Sequence, residues 1–373
     1  MHVLHINCNY LGTTLHQLMI EGLDTLNIDN NVFVPTFDST SGVIEPKDNV
    51  HVSNCFNKND RFIFNFKQRK ILNSIINYYD LYKFDLIHAH TVFTDGNCAY
   101  ELSLKYSIPY IVAVRNTDLN DFFKYRINLR NRGLKILNNA SAIIFLSESY
   151  KEELFKKYIP DKYKNQLKEK SIVIPNGIDQ FWLDNKYLKR GSLNSNSFSI
   201  VYAGVINKNK NLLCTARAIN DLNEHGFGIR YNVVGSVLDK SYYKKIMSFP
   251  FVSYTKKLSK EELISIYRDN DIFVMPSIKE SFGLVYAEAM TQGLPIIYSK
   301  GQGFDGQFDD GVVGYAVDSK DYHDLSNRLK MIIENYQTIS SNCVKLADKF
   351  SWDDICLRYL NLYLKILGER EST

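Results

Sequence analysis

Short apolar runs recur along the chain, each closed by turn-forming residues, and the segments after them carry apolar positions three and four apart. MHVLHIN (1–7) reads as a strand, and LGTTLHQLMIEGL (11–23) has helical spacing. NNVFVPT (30–36), FDLIHAH (84–90), IPYIVAV (108–114), SAIIFLS (141–147) and SIVIPNG (171–177) are further strands, and a helical stretch running to Tyr106 follows the run at 84–90. The first half of the chain thus predicts six strands. Strands alternating with helices predict βαβ units and a parallel sheet.

The pattern breaks at DNKYLKRGSLNSNS (184–197), a polar, Ser/Asn-rich segment that reads as a connector, and then it restarts. FSIVYAGVI (198–206), GIRYNVVGS (228–236), FVSYT (251–255), DIFVMPS (271–277), LPIIYS (294–299) and GVVGYAV (311–317) are strands. NLLCTARAINDLNEHG, KKIMSF (244–249), KEELISIYRDN and DYHDLSNRLKMIIENY are helices between and after them. The expected architecture is α/β: two similar doubly wound domains in series, over 1–180 and 198–350. In such sheets ligands bind at the carboxyl ends of strands, beside helix N-termini, and two such domains facing each other make a cleft. KFSWDDICLRYLNLYLKILGE (349–369) again has helical spacing, and a terminal helix over 351–373 is expected to pack back on the first domain. No short tandem repeat is present.

Composition narrows the class. A length of 373 residues suits two domains, and 45% hydrophobic with 23% charged residues suits a large soluble core. No apolar run approaches the roughly 18 residues of a membrane span. MHVLHINCNY has no basic region followed by an apolar core, so no secretory signal is expected. Six cysteines, none in a C-x-x-C, read as free thiols in a reducing compartment and not as a disulfide framework or zinc site. A net charge of +4 is too small to imply a nucleic-acid partner. The excess lies in residues 1–197, where FNKNDRFIFNFKQRK (56–70) and DFFKYRINLRNRGLK (121–135) interleave Phe with Lys and Arg. These segments are either solvated surface or a face that meets anionic lipid headgroups.

The candidate chemistry lies in KESFGLVYAEAMTQGLPIIYS (279–299). With DIFVMPS as the strand, Glu280 falls in the loop at its carboxyl end, and Ser281, Phe282 and Gly283 fall at the start of a helix that Gly293 closes. Gly283 permits close backbone approach, and first-turn N–H groups without internal partners attract phosphate. Glu288 sits more than one turn into the helix. A diphosphate at the helix start would leave Glu280 to accept hydrogen bonds from a sugar and Glu288 from ribose hydroxyls. Two plainer readings remain: an acidic helix start with a surface Glu, and a glycosidase carboxylate pair. Eight helical residues span roughly 12 Å. Hydrolysis needs carboxyl groups roughly 5 to 9.5 Å apart, so the spacing disfavours the second.

KESFGLVYAEAMTQGLPII resembles the E-x7-E signature of retaining glycosyltransferases of the GT-B fold, family 4. PNGID (175–179), YAGVINKNKNLLCTARAI (202–219), DIFVMPS, DDGVVGYAV (309–317) and FSWDDI (350–355) match further family segments in the family's order, so the resemblance covers nearly the whole chain. It implies two Rossmann-like domains, a nucleotide-sugar donor bound mainly by the second, and transfer with retained anomeric configuration. By position, Glu280 would contact the donor sugar and the backbone of Phe282, Gly283 and Leu284, after Ser281, the donor phosphate or sugar. Glu288 would hold the ribose, Lys210 would neutralise the diphosphate, and Leu258 would meet the base through its backbone. Gly12 resembles the family's glycine loop.

The resemblance further implies no cofactor and no metal, with a UDP-sugar favoured over a GDP-sugar as donor. The acceptor would be a glycan or a lipid-linked molecule, in surface polysaccharide biosynthesis. The protein is expected to be cytoplasmic, and the basic Phe-rich segments leave open whether it is free there or peripheral at the inner face of the membrane. Two departures stand out. Val205 follows Gly204 where the family has Arg, which makes Lys208 a candidate substitute. In AVRNTD (113–118), Arg115 stands where a His is expected and Asn116 where a Gly is. Arg115 cannot act as a base but can bind an anionic acceptor or the diphosphate.

His88 and His90 alternate on a strand and share a face; a metal would need more ligands, while His90 lies where an acceptor-side residue would. Asp269-Asn270-Asp271 spells D-x-D but reads as a helix end and turn. The rival functions are a sugar-nucleotide epimerase of the same fold and a non-catalytic sugar-nucleotide-binding or scaffold protein.

Overall fold

The computed structural model describes residues 1–38, 46–188 and 193–371; part of the expected connector at 184–197 lies outside them. The chain divides into two compact units, Met1–Gly177 with Trp352–Thr373, and Ile178–Ser351.

The first unit holds seven parallel strands: β1 (His2–Ile6), β2 (Asp29–Pro35), β3 (Val50–Ser53), β4 (Leu86–Ala89), β5 (Tyr110–Val114), β6 (Ala142–Phe145) and β7 (Ser171–Val173). Their order is β3-β2-β1-β4-β5-β6-β7, a doubly wound sheet whose direction reverses between β1 and β4. The sequence predicted six strands and missed β3. That strand is VHVS, four residues at the sheet edge with only Val50 buried, too short and too polar to show a pattern. The central strands are nearly continuous apolar runs because helices cover both faces.

Alternate residues of one strand enter different cores. Leu4, Ile6, Ile87 and Val112 join one cluster with Ile71, Leu102 and Ile136, from helices Phe64–Tyr78, Asp95–Tyr106 and Arg130–Asn139. Val3, Leu86, Ile111 and Ile144 join the other, with Met19 and Leu23 of helix Thr14–Asp24 and Ile355, Tyr359 and Tyr363 of the terminal helix Trp352–Glu371. The terminal helix therefore completes one face of the first unit's core.

The second unit holds six parallel strands: β8 (Ser199–Ala203), β9 (Arg230–Val234), β10 (Val252–Thr255), β11 (Ile272–Val274), β12 (Ile296–Ser299) and β13 (Gly314–Val317). Their order is β10-β9-β8-β11-β12-β13, with the switch between β8 and β11. The helix predicted at 244–249 is Lys240–Ile246 instead. Asp239 caps it by accepting the Tyr242 N–H, which starts the helix earlier than its apolar spacing suggests. The D-x-D residues are structural. Asp271 accepts the backbone N–H and hydroxyl of Ser199, the Asn270 amide donates to the Ile266 carbonyl, and Asp269 ends helix Lys260–Arg268. All six cysteines are free thiols.

Candidate functional site

In the second unit, the loop after β11 runs into helix Leu284–Thr291 at the sheet's switch point. The sequence placed Ser281, Phe282 and Gly283 at the helix start; the first helical residue is Leu284, so all three lie just before it. Gly283 is its N-cap, at φ +80°, and no side chain caps the leading N–H groups. A side chain at Gly283 would meet the Tyr286 ring at 2.4 Å, and that ring is held in the core where its hydroxyl donates to the Met275 carbonyl. The Phe282 side chain turns inward against Phe304 and Phe350, leaving its backbone as the part able to meet a ligand. The helix closes as expected: Leu294 N–H bonds the Ala289 carbonyl, Gly293 N–H bonds that of Met290, and Gly293 takes φ +72°.

Two loops converge on Glu280. After β8 the chain makes a tight turn, Lys208–Lys210, capped by the Asn207 side chain, which accepts the Lys210 N–H. Asn209 ties this turn to the loop after β11: its amide donates to the Lys279 carbonyl, its side-chain oxygen accepts the Lys279 N–H, and its own carbonyl accepts the Ile278 N–H. Lys210 Nζ thereby lies 2.6 Å from Glu280 Oε2, which also accepts the Ser277 hydroxyl at 3.2 Å. Glu280 Oε1 accepts the Ser281 N–H, and the Glu280 N–H donates to Gln302. A third loop seals the backbone, with Gly303 N–H on the Glu280 carbonyl; any side chain at Gly303 would strike the Ser281 carbonyl at 1.9 Å. The result is a carboxylate and an ammonium held in fixed places beside an uncapped helix start.

Glu288 is partly buried one turn into the helix. Desolvation, with the Asp179 carboxylate nearby, pushes its carboxyl up to about 7. Asp179 pairs with Lys260 at 2.6 Å; it was quoted within PNGID but given no role by the sequence reading. Leu258 is partly buried at the carboxyl end of β10, just before Ser259, whose hydroxyl caps helix Lys260–Arg268. Lys208 has a different surrounding from Lys210: it lines a cavity of about 310 Å³ with Arg217, Lys320, Tyr242 and Tyr322. Val205 is exposed, and its carbonyl accepts the Tyr202 hydroxyl.

In the first unit, Arg115 follows β5. Its Nε donates to the His90 carbonyl at 3.2 Å and a terminal nitrogen to Asn176 Oδ1 at 3.3 Å. Burial lowers its pKa, while Tyr359, Asp118 and Asp95 act in the other direction. Asp118 is buried and accepts three backbone N–H groups, those of Val92, Phe93 and Arg115, so it ties the loop after β4 to the loop after β5. Desolvation raises its carboxyl to about 6 in spite of those donors. The sequence reading passed over Asp118, although its place in AVRNTD was the available signal. Asn116 donates to the Tyr150 hydroxyl at 2.7 Å. Gly12 is exposed, with open space where a side chain would stand.

The His90 ring is buried; what it offers toward Arg115 is its carbonyl. His5, opposite His88 in the β1–β4 register, completes a cluster that the sequence showed only as the pair His88 and His90. His5 Nδ1 lies 3.1 Å from His90 Nε2, and His5 Nε2 lies 2.9 Å from Asn30 Oδ1. Tyr363 Oη is 2.7 Å from His88 Nδ1, and His16 meets His90 edge-on. Burial holds His5 at about 4; burial, with Arg115 and His5 nearby, holds His16 at about 3. The group is therefore neutral near pH 7. Ring nitrogens of His5, His88 and His90 lie within 4.8 Å of one another, a spacing a metal could use. The His88 and His90 rings, however, stack 4.2 Å apart and 12° from parallel, and one ion cannot lie in both ring planes. As arranged, the cluster is a buried core joined by the contacts above, in which His88 Nε2 and His90 Nδ1 have no hydrogen-bond partner among the described residues.

No helix among the described residues is long and apolar enough to cross a membrane. Residues 13–180 match the family model described as Glycosyltransferase Family 4, and residues 184–350 match that described as Glycosyl transferases group 1. The chain is 28% identical over 297 residues to an uncharacterized glycosyltransferase of Methanocaldococcus jannaschii, covering 75% of each chain. It is 29% identical over 251 residues to the capsular polysaccharide biosynthesis glycosyltransferase CapM of Staphylococcus aureus, covering 62% of this chain and 64% of the relative. Among solved structures, sucrose-phosphate synthase from Thermosynechococcus elongatus matches with a TM-score of 0.75 at 18% identity, over 99% of this chain and 100% of that one. Anabaena HepE in complex with UDP-glucose matches with a TM-score of 0.66 at 18% identity, over all of both chains.

Proposed function

We propose, for a chain that belongs to the family 4, group 1 glycosyltransferases of the GT-B fold, that it moves a sugar from a UDP-sugar to a glycan or lipid-linked acceptor with retention of anomeric configuration. The observation that carries this reading is the pairing of Lys210 with Glu280 at 2.6 Å beside the uncapped start of helix Leu284–Thr291. The leaving nucleoside diphosphate gains negative charge as the glycosidic bond breaks. Lys210 and the leading helix N–H groups stabilise that charge without moving. Glu280 accepts hydrogen bonds from the hydroxyls of the transferring sugar, and Glu288 from the ribose. Because cationic groups already serve the phosphates, we assign no metal to the reaction. Solved neighbours described as complexes with UDP and UDP-glucose support the choice of base.

We assign the acceptor to the first unit, with Arg115 as its anion-binding group. Arg115 is fixed by His90 and Asn176 and cannot take a proton from the acceptor hydroxyl. That proton passes to the departing phosphate oxygen. The likeness to CapM supports a role in surface polysaccharide assembly. The test is a panel of UDP- and GDP-sugars scored by rise in melting temperature, since a ligand bound by the folded state alone stabilises it. The anomeric configuration of the product made from the best donor is then read by NMR. A UDP-sugar should stabilise the protein and give a retained product. Stabilisation by GDP-sugars alone, or an inverted product, would overturn the reading.

A further inference from the structure

The two basic, Phe-rich segments that the sequence singled out come together in the first unit. Phe64 meets Phe122 with ring centroids 6.4 Å apart, and Phe122 stacks on Phe93 at 4.6 Å. Each segment sorts its apolar residues into two rows. The inner row anchors to the core: Phe56, Phe123 and Leu129 are buried, and just past the first segment Ile71 and Ile75 continue the buried face of helix Phe64–Tyr78. The outer row does not. Phe62 is 83% exposed, Ile63 62%, Phe66 46%, Tyr125 65% and Ile127 67%. These thirty residues thus hold five of the large apolar side chains exposed among the described residues, and Phe62 is the most exposed of those.

The outer row is held by defined structure. Asn57 and Asp60 form a reciprocal cap on the turn Lys58–Phe62, and Asp60 pairs with Lys70. The Arg126 guanidinium sits over the Phe122 ring, and Arg130 donates to the Phe123 carbonyl. Apolar groups fixed outward in this way have no partner within the chain's own core.

Charge indicates what the partner is. The two segments carry ten Lys and Arg against two Asp, an excess larger than the +4 of the entire protein. Lys58, Arg69 and Lys124 are exposed, and none has an ion-pair partner among the described residues. Aromatic and aliphatic tips rimmed by cations match an interface where apolar groups enter the acyl boundary and cations stay among anionic headgroups. A protein partner of like size would instead be expected to deplete Lys at the contact.

We propose that the face bearing Phe62, Ile63, Phe66, Tyr125 and Ile127 docks the protein reversibly on an anionic bilayer surface. Docking does not depend on the glycosyl-transfer reading, and the two can fail separately.

The test is co-sedimentation of the full chain with phosphatidylcholine vesicles, with and without phosphatidylglycerol. It is run at about 0.1 M and about 1 M salt, where the Debye length falls from ~10 Å to ~3 Å. Wild-type protein should bind the anionic vesicles at low salt and release at high salt. Phe62→Ser with Ile63→Ser, and separately Lys58→Glu with Arg69→Glu and Lys124→Glu, should each weaken binding at least tenfold. Both variants should keep the wild-type melting temperature and its rise with donor, because every changed side chain is exposed. Glu280→Ala should bind vesicles like wild type. Equal binding to neutral and anionic vesicles, no binding at low salt, or insensitivity to the Phe62/Ile63 change would overturn the proposal. So would a concentration-dependent dimer that the Phe62/Ile63 change abolishes in the absence of vesicle binding.

Discussion

Lys210 Nζ and Glu280 Oε2 lie 2.6 Å apart although seventy positions separate them in the chain. Each side chain is mostly buried, and Asn209 locks the two loops that carry them. The ammonium and the carboxylate thus hold each other in place. Arrival of a diphosphate would add a second anion to Lys210 without requiring it to search for a position.

Glu280→Gln keeps the shape and removes the charge. Turnover should fall on the order of 10²- to 10³-fold, the scale of losing one preorganised transition-state group. Lys210→Ala should weaken nucleotide binding roughly ten- to a hundredfold, the scale of one hydrogen bond to a charged group. Steady-state kinetics with nucleotide titration separates the two effects. Wild-type turnover in Glu280→Gln would remove Glu280 from the reaction.

Glu288 titrates at about 7 in the folded protein. With Glu288 in the ribose-binding role proposed above, only its ionised carboxylate would accept two hydroxyls, and nucleotide affinity should rise between pH 6 and 8 by up to about tenfold. Glu288→Gln should bind more weakly at pH 8 and show a flat profile. Stability runs the other way. The native carboxyl holds its proton above its usual value, so its contribution is full at low pH and is lost as pH rises through about 7. Calorimetric titration at several pH values checks the first statement, and melting curves of the two proteins check the second.

Activity should persist in EDTA, because the proposed function gives Lys210 and the start of helix Leu284–Thr291 the role a divalent ion would take at the phosphates. A strict requirement for Mg²⁺ or Mn²⁺, restored on adding the ion back, would contradict that assignment.

The buried histidines set an acid limit on stability. His5 and His16 titrate at about 4 and about 3 when folded, against 6.5 as the ordinary value. The unfolded chain therefore binds more protons below pH 6.5, and stability is lost as pH falls through that window. His16→Gln should take up about one proton fewer on unfolding at pH 5. A wild-type pH dependence in that variant would show that His16 is already charged in the folded protein.

Gly283→Ala should cost on the order of 1–2 kcal/mol in stability for its left-handed backbone alone. Displacing the Tyr286 ring would add to this, since the new methyl would lie 2.4 Å from it. The variant should melt lower and bind donor more weakly; a normal melting temperature would mean that the loop relaxes freely.

Alternating apolar runs and helical spacings were enough to read two parallel α/β sheets, because a strand covered on both faces must be apolar and the helix after it must present one apolar stripe. The order of motifs from PNGID to FSWDDI was equally legible, since it lies along the chain. So was the loop placement of Glu280 at a strand's carboxyl end, which depends on neighbours within a few residues. β3 escaped because four residues at a sheet edge carry too little burial to leave a pattern. What the tertiary structure decided are contacts between strands distant in sequence. Strand order alone sets His5 against His88, brings Asp118 to the loop after β4, and joins Asn209 to Lys279. Lys208 and Lys210 look interchangeable in KNK, yet the capped turn sends one into a separate cavity and the other to Glu280. Likewise nothing in the spacing of Phe56, Phe62, Phe64 and Phe66 along the sequence tells them apart, and only packing buried Phe56 in the core, set Phe64 against Phe122 and left Phe62 and Phe66 outside.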